Sequence, residues 1–316
     1  MLIVSLVALS GLSLGACVSS LAYTSKVEAA YPAEGQRIGV NGHGVHVMTR
    51  GPETAPVVLM IHGASANARE FSGTLAPRLE MDLRVLMADR PGHGYSDRFS
   101  GAESLAAQAG QMAGVLEQMA PGQKATIVGH SFGGAVALRL ALDRPDLVSS
   151  LVLLAPVTHD WGDAEGGTAW YNSFAAAPVV GPVFSQLAPI AGPAQMKSGI
   201  SGVFAPAPTP PDYFENSGVG LFLRPPNFRA NARDMTRLKQ QLAEQSLRYD
   251  ELAVPITVFS GSKDTVVSPK LHTARLKKQV PLELVILPDE GHMPHHGEGG
   301  AVAGAIRRLA FGHQTR

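Results

Sequence analysis

Residues 126–134 read TIVGHSFGG, and this short stretch decides the fold. Thr126 to Val128 is an apolar, β-branched run suited to a buried strand. After Phe132 the chain continues as GGAVALRLALDRP, with apolar side chains at helical spacing up to the stop before Pro145. Ser131 therefore stands on a turn from strand directly into helix. Such a turn crowds its neighbours and strains its central residue, which is why Gly129 and Gly133 flank it. A serine hydroxyl is a poor nucleophile alone; it needs a base, a group that orients the base, and donors for the developing negative charge. Those groups must come from elsewhere in the chain.

Outward from this turn, strands and helices alternate. GVHVMTR (44–50) and PVVLMIHG (56–63) read as strands, the second apolar throughout, as expected when both faces are covered. RVLMADRPGHG (84–94) is a strand ending in a loop, AESLAAQAGQMAGVLEQMA (102–120) a helix, and VSSLVLLAP (148–156) a strand. The alternation stops at Val157. From there to Asp250 the chain carries a series of prolines from Pro178 to Pro211 and one clear helix, NARDMTRLKQQLAEQSL (231–247), which reads as an insertion of short helices and loops. Strand, helix, strand and helix then resume with PITVFSG (255–261), SPKLHTARLKKQV (268–280), PLELVILP (281–288) and a last helix near 298–309. This order predicts an α/β fold: a mostly parallel central sheet flanked by helices, built from residues 37–156 and 251–316, with a helical cap inserted at 157–250.

The chain has 316 residues, with 26 Lys and Arg balancing 26 Asp and Glu, so nothing in its charge recruits nucleic acid. No repeat of solenoid period is present. Its single cysteine, Cys17, leaves no internal disulfide, and the fold must rest on packing.

Five motifs join the opening stretch into one pattern: HGAS (62–65), DRPGHGYSDR (89–98), GHSFGG (129–134), GSKDTVV (261–267) and GHMPHH (291–296). In these motifs, and in their order along the chain, the sequence resembles a capped member of the α/β-hydrolase fold superfamily over residues 40–312. The resemblance implies Ser131 as nucleophile, His292 as base and Asp264 as the acid that orients it. Some members carry the acid after the strand before the cap, where Asp160 and Asp163 stand. Gly63 lets the next backbone N–H turn inward, so Ala64 N–H and Phe132 N–H are the expected oxyanion donors, aided by the helix dipole at Phe132. His62 and Asp89 are expected to shape loops beside the site. His292 and His296 are four apart, but Pro294 breaks helical geometry and no matching carboxylates are evident. No metal is therefore expected, and His295 and His296 read as surface residues.

A serine in the elbow points to acyl transfer rather than to the epoxide or carbon–halogen chemistry of relatives with an aspartate there. Carboxylic or lipid-like esters are the expected substrates; C–C bond hydrolases, amidases and perhydrolases share the fold. A non-catalytic binding module is the alternative of a different kind, against which Ser131, Asp264 and His292 stand as a complete set. No cofactor is implied. Val179, Val180, Val183, Phe184, Phe204, Leu221, Phe222 and Leu223 are candidates to line an acyl pocket in the cap.

Residues 1–23, MLIVSLVALSGLSLGACVSSLAY, carry no charged side chain and read as a secretion signal or membrane anchor, followed by a polar linker at 24–36. LGAC, ending at Cys17, resembles the lipobox of bacterial lipoprotein precursors, which implies a lipidated Cys17 after cleavage. The basic start usual in such signals is missing. An uncleaved anchor and an ordinary cleaved signal remain open, and each puts the hydrolase part on a membrane or outside the cytoplasm.

Overall fold

The parallel part of the predicted sheet is present, and an antiparallel hairpin extends it at one edge. A computed structural model describes residues 2–162 and 169–312, with side chains from Gly15 onward. The strands are β1 Gln36–Val40, β2 His43–Arg50, β3 Val57–Ile61, β4 Arg84–Ala88, β5 Ala125–His130, β6 Val148–Leu154, β7 Ile256–Gly261 and β8 Glu283–Leu287. They form one sheet in the order β1-β2-β4-β3-β5-β6-β7-β8. β2 is antiparallel to β1 and β4, and every pair from β4 through β8 is parallel.

Side-chain alternation divides the core in two. Val57, Leu59 and Ile61 of β3 face one apolar cluster, with the helices Leu105–Met119 and Phe132–Asp143; Val58 and Met60 face the other, with the helix Gly299–Gly312. Every residue of β3, β5, β6 and β7 is buried, as strands covered on both faces must be.

Two departures from expectation lie at the N-terminus. The segment read as a linker is helical through its first part, since one helix runs Leu2–Ala30, and its last residue, Gln36, begins β1, a strand that was not expected. β1 turns into β2 through Asn41 and Gly42, both at positive φ (51° and 80°), the left-handed pair that a two-residue hairpin requires. The end of the long helix docks on the cap: Val27 is buried, Tyr23 Oη donates to Gly220 O at 3.0 Å, and Arg224 pairs with Glu28 at 2.6 Å. Among the described residues, no helix is long and apolar enough to cross a membrane.

Between β6 and β7 the described residues form helices and no strand. The principal ones are Ala188–Phe204 and Pro225–Gln245. The first is longer than its prolines suggest, because Pro189 lies in the first turn, where a missing N–H forfeits nothing, and Pro193 loses only one bond. Phe204, Leu221 and Leu223 are buried, but Val179, Val180 and Val183 are 85%, 52% and 64% exposed. Those three valines belong to an exposed apolar surface of the cap.

Candidate active site

Four segments meet at the carboxyl ends of the parallel strands, where ligand sites of open α/β sheets lie. Ser131 directly follows β5, His62 to Ser65 follow β3, Asp264 lies three residues beyond β7, and His292 five beyond β8.

Ser131 has φ 51° and ψ −115°, a left-handed conformation that costs a non-glycine residue roughly 1–3 kcal/mol. The surroundings enforce it: Ser131 N–H donates to Leu154 O at 2.9 Å, and its carbonyl accepts from Val157 N–H at 3.1 Å. The flanking glycines are sterically required. A Cβ on Gly129 would lie 2.5 Å from Gly133 O, and one on Gly133 would lie 2.0 Å from Ile61 O.

His292 Nδ1 lies 2.8 Å from Asp264 Oδ2, with both side chains buried. Asp264 Oδ1 accepts from the N–H groups of Val266 and Val267, at 2.8 and 2.9 Å. A carboxylate so engaged only accepts, so His292 carries its proton on Nδ1 and leaves Nε2 as the basic nitrogen. The His292 ring is stacked obliquely on that of His130, the residue before Ser131, at 4.9 Å between centroids, and His292 N–H donates to Val203 O of the cap. Asp160 is not part of this arrangement; its Oδ1 accepts from Gly162 N–H. Asp163 lies outside the described residues.

At the turn after β3, Gly63 N–H is taken by Glu70 Oε2 at 3.1 Å and Ser65 N–H by Asn231 Oδ1 at 2.8 Å. The Ala64 N–H between them has no hydrogen-bond partner among the described residues. Phe132 N–H, first of its helix, is one of the amides that a helix start leaves open. His62 is wholly buried: it accepts from Arg90 N–H through Nε2, and burial, with Arg90 beside it, pushes its pKa down to about 4. Asp89 accepts from Ala68 and Tyr95 N–H and pairs with His46, which ties its loop to β2.

Several residues of the site escape sequence reasoning. Arg90 is fully buried; it donates to His62 O, Gly63 O, Gln108 Oε1 and Asp234 Oδ2, and lies over the Phe132 ring at 4.3 Å. Asp234 and Asn231, one turn apart on the cap helix Pro225–Gln245, thus clamp the turn after β3. The amphipathic pattern of that helix announces a buried face without saying what its polar members touch. The other surprise is Glu70, which lies 2.6 Å from His130 Nδ1 and 3.7 Å from His295 Nε2. His295 is buried rather than on the surface and His296 is half-buried, so the expectation for that pair is corrected, as is the absence of a nearby carboxylate. Burial alone would raise the Glu70 carboxyl, but the neighbouring histidines outweigh it and hold the group at about 2. Burial keeps His295 neutral, well below the usual histidine range.

Comparison with known proteins agrees with this fold. A family model described as alpha/beta hydrolase fold matches residues 56–298. The uncharacterized protein Rv2715 of Mycobacterium tuberculosis is 28% identical over 280 residues, 84% of this chain and 79% of that protein. Lipase LipV of the same organism is 38% identical over 112 residues, 35% of this chain and 41% of the lipase. Among solved structures, the esterase EaEST from Exiguobacterium antarcticum superposes with a TM-score of 0.67 at 20% identity, covering 87% of this chain and 99% of the esterase. A family model spanning most of the chain, the eight-stranded sheet and the strained serine turn at its centre establish that this chain belongs to the alpha/beta hydrolase fold family.

Proposed function

We propose that this hydrolase acts by acyl transfer through Ser131, with carboxylic or lipid-like esters as substrates. The observation that carries the reading is the Asp264–His292 pair, which leaves His292 Nε2 basic beside a strained serine elbow. In this reaction His292 Nε2 takes the Ser131 proton as Oγ attacks the ester carbonyl. The N–H groups of Ala64 and Phe132 stabilise the tetrahedral oxyanion. Collapse gives an acyl-enzyme and an alcohol that receives the proton from His292, and water, activated by the same nitrogen, releases the acid.

The ester preference is supported by the named lipase and esterase relatives and by the apolar character of the cap. Attachment to a membrane, through a lipidated Cys17 or an uncleaved N-terminal helix, is part of the same proposal. Trp170, Phe174, Val179, Val183, Leu187 and Ile190 expose apolar surface on the cap against which the N-terminal helix packs, a character that suits a bilayer interface. Hydrolysis of a short p-nitrophenyl ester tests the reading: Ser131→Ala abolishes turnover with the fold intact, and undiminished turnover overturns it. Mass spectrometry of the mature N-terminus tests the anchor, since a lipidated Cys17 and an intact Met1 give incompatible peptides.

A further inference from the structure

Behind the elbow, the side chains of Glu70, His130 and His295 converge, 3%, 5% and 0% exposed. Their ligand-bearing atoms all lie within 4.8 Å of one another. What distinguishes the cluster is which atoms are engaged and which are not. Glu70 Oε2 accepts from Gly63 N–H at 3.1 Å, and His130 Nε2 is 2.9 Å from His292 O, to which it can only donate. The atoms left over are Glu70 Oε1 and His130 Nδ1, which face each other as a buried pair at 2.6 Å without hydrogen-bond angles, and both ring nitrogens of His295, which are buried and have no hydrogen bond. Buried polar atoms without partners are uncommon and call for an explanation.

We infer that Glu70 Oε1, His130 Nδ1 and a ring nitrogen of His295 form a binding site for a divalent transition-metal ion, with Zn(II) as the ion its donor set suits best. Two imidazoles and one carboxylate are a borderline donor set, matched to zinc and its neighbours rather than to calcium or magnesium. The outer contacts are those a ligand set uses: the His292 carbonyl fixes the tautomer of His130 so that Nδ1 presents its lone pair, and the Gly63 amide holds the second Glu70 oxygen. A proton shared between Glu70 and His130 accounts for their 2.6 Å approach but leaves both His295 nitrogens without a partner; a cation engages Glu70 Oε1, His130 Nδ1 and one of those two nitrogens together. With metal–ligand bonds of about 2.0–2.2 Å, Glu70 and His130 need to part by less than about 1 Å and His295 to close on them by a comparable amount. A surface pocket lined by Arg69, Asp212, Tyr213, Asn216 and His296 also borders Glu70, and it is the side from which an ion and a water ligand would approach. The ion would tie together three segments: the turn after β3, the residue preceding Ser131, and the loop bearing His292. Its place is structural, because no ligand is one of the groups given a chemical role above.

The test is metal content rather than activity. The full chain is equilibrated with Zn(II), passed through a desalting column and analysed by inductively coupled plasma mass spectrometry. It should retain about one zinc per chain, falling to background in Glu70→Gln and in His295→Gln, while His43→Ala, remote from the cluster, retains it. Wild type without stoichiometric zinc overturns the inference, and so does undiminished zinc in both folded variants. If a variant fails to fold by circular dichroism, wild type charged with Co(II) decides. Visible ligand-field bands of a low-coordinate nitrogen and oxygen site uphold the inference, and their absence overturns it.

Discussion

Asp264 holds His292 through one carboxylate oxygen and its own loop through the other. Oδ2 accepts from His292 Nδ1 at 2.8 Å, while Oδ1 accepts two backbone amides within 2.9 Å. This division makes Asp264→Asn informative. The two loop amides claim the single amide oxygen, so the NH2 group turns to His292 and forces the imidazole proton onto Nε2, the wrong nitrogen. We expect kcat for ester hydrolysis to fall by roughly 10³–10⁴-fold with an unchanged circular dichroism spectrum. A loss under about tenfold would mean that Asp264 does not set the tautomer.

The elbow has room for hydrogen only. In Gly133→Ala the new Cβ meets Ile61 O at 2.0 Å and His62 O at 2.7 Å, pushing the end of β3 and its turn outward. A stability loss of roughly 1–3 kcal/mol and a drop in ester turnover are expected together, read from urea titration and initial rates. Gly300→Ala is the control: its Cβ meets nothing within 4 Å, and in a helix the change is neutral or favourable.

Arg90 and Asp234 are both wholly buried and lie 2.9 Å apart. Asp234→Ala strands the guanidinium against His62 and Gly63, so a loss of about 3–5 kcal/mol is expected in urea titration. Asp146→Ala, which breaks an exposed pair with Arg144, should cost under about 1 kcal/mol. Similar losses for the two would show that Arg90 finds other compensation.

His46 carries a pH signature of stability. Burial disfavours its charge, but the hydrogen bond and charge of Asp89 prevail over burial and over the repulsion of Arg69, so its pKa is raised. Both ring nitrogens face acceptors, Asp89 Oδ2 at 2.7 Å and Glu34 O at 2.6 Å, and only the imidazolium donates to both. A raised folded-state pKa gives stability that is complete below the unfolded value of about 6.5 and is lost as pH rises through the folded one. The destabilisation by His46→Ala, from urea midpoints, should therefore be larger at pH 5.5 than at pH 9. An equal or reversed difference contradicts the charged pairing.

What could be read in the sequence followed from local physics. Runs rich in apolar and β-branched residues marked the strands β3, β5, β6 and β7, which are buried on both faces, and the glycines at 129 and 133 marked the turn because side chains collide there. β1 was missed although Asn41–Gly42 is a hairpin signal, because QRIGV is a short, mostly exposed edge strand without a continuous apolar run. Contacts made across the chain were out of reach: Arg90 with Asp234, 144 residues apart, and Glu70 with His130, 60 apart, owe their pairing to tertiary packing that no local pattern encodes. The cap was legible as an insertion, whereas which of its apolar residues face inward was not; Val179 and Leu223 look alike in sequence and differ entirely in exposure.

The claim on which the functional account rests is that Ser131 Oγ is the activated nucleophile. Incubation with a fluorophosphonate, followed by peptide mapping, tests it directly. One phosphonyl adduct on the peptide bearing Ser131 is predicted, formed at a rate that drops sharply in Asp264→Asn. Labelling at another residue, or none in folded protein that still turns over esters, would contradict it.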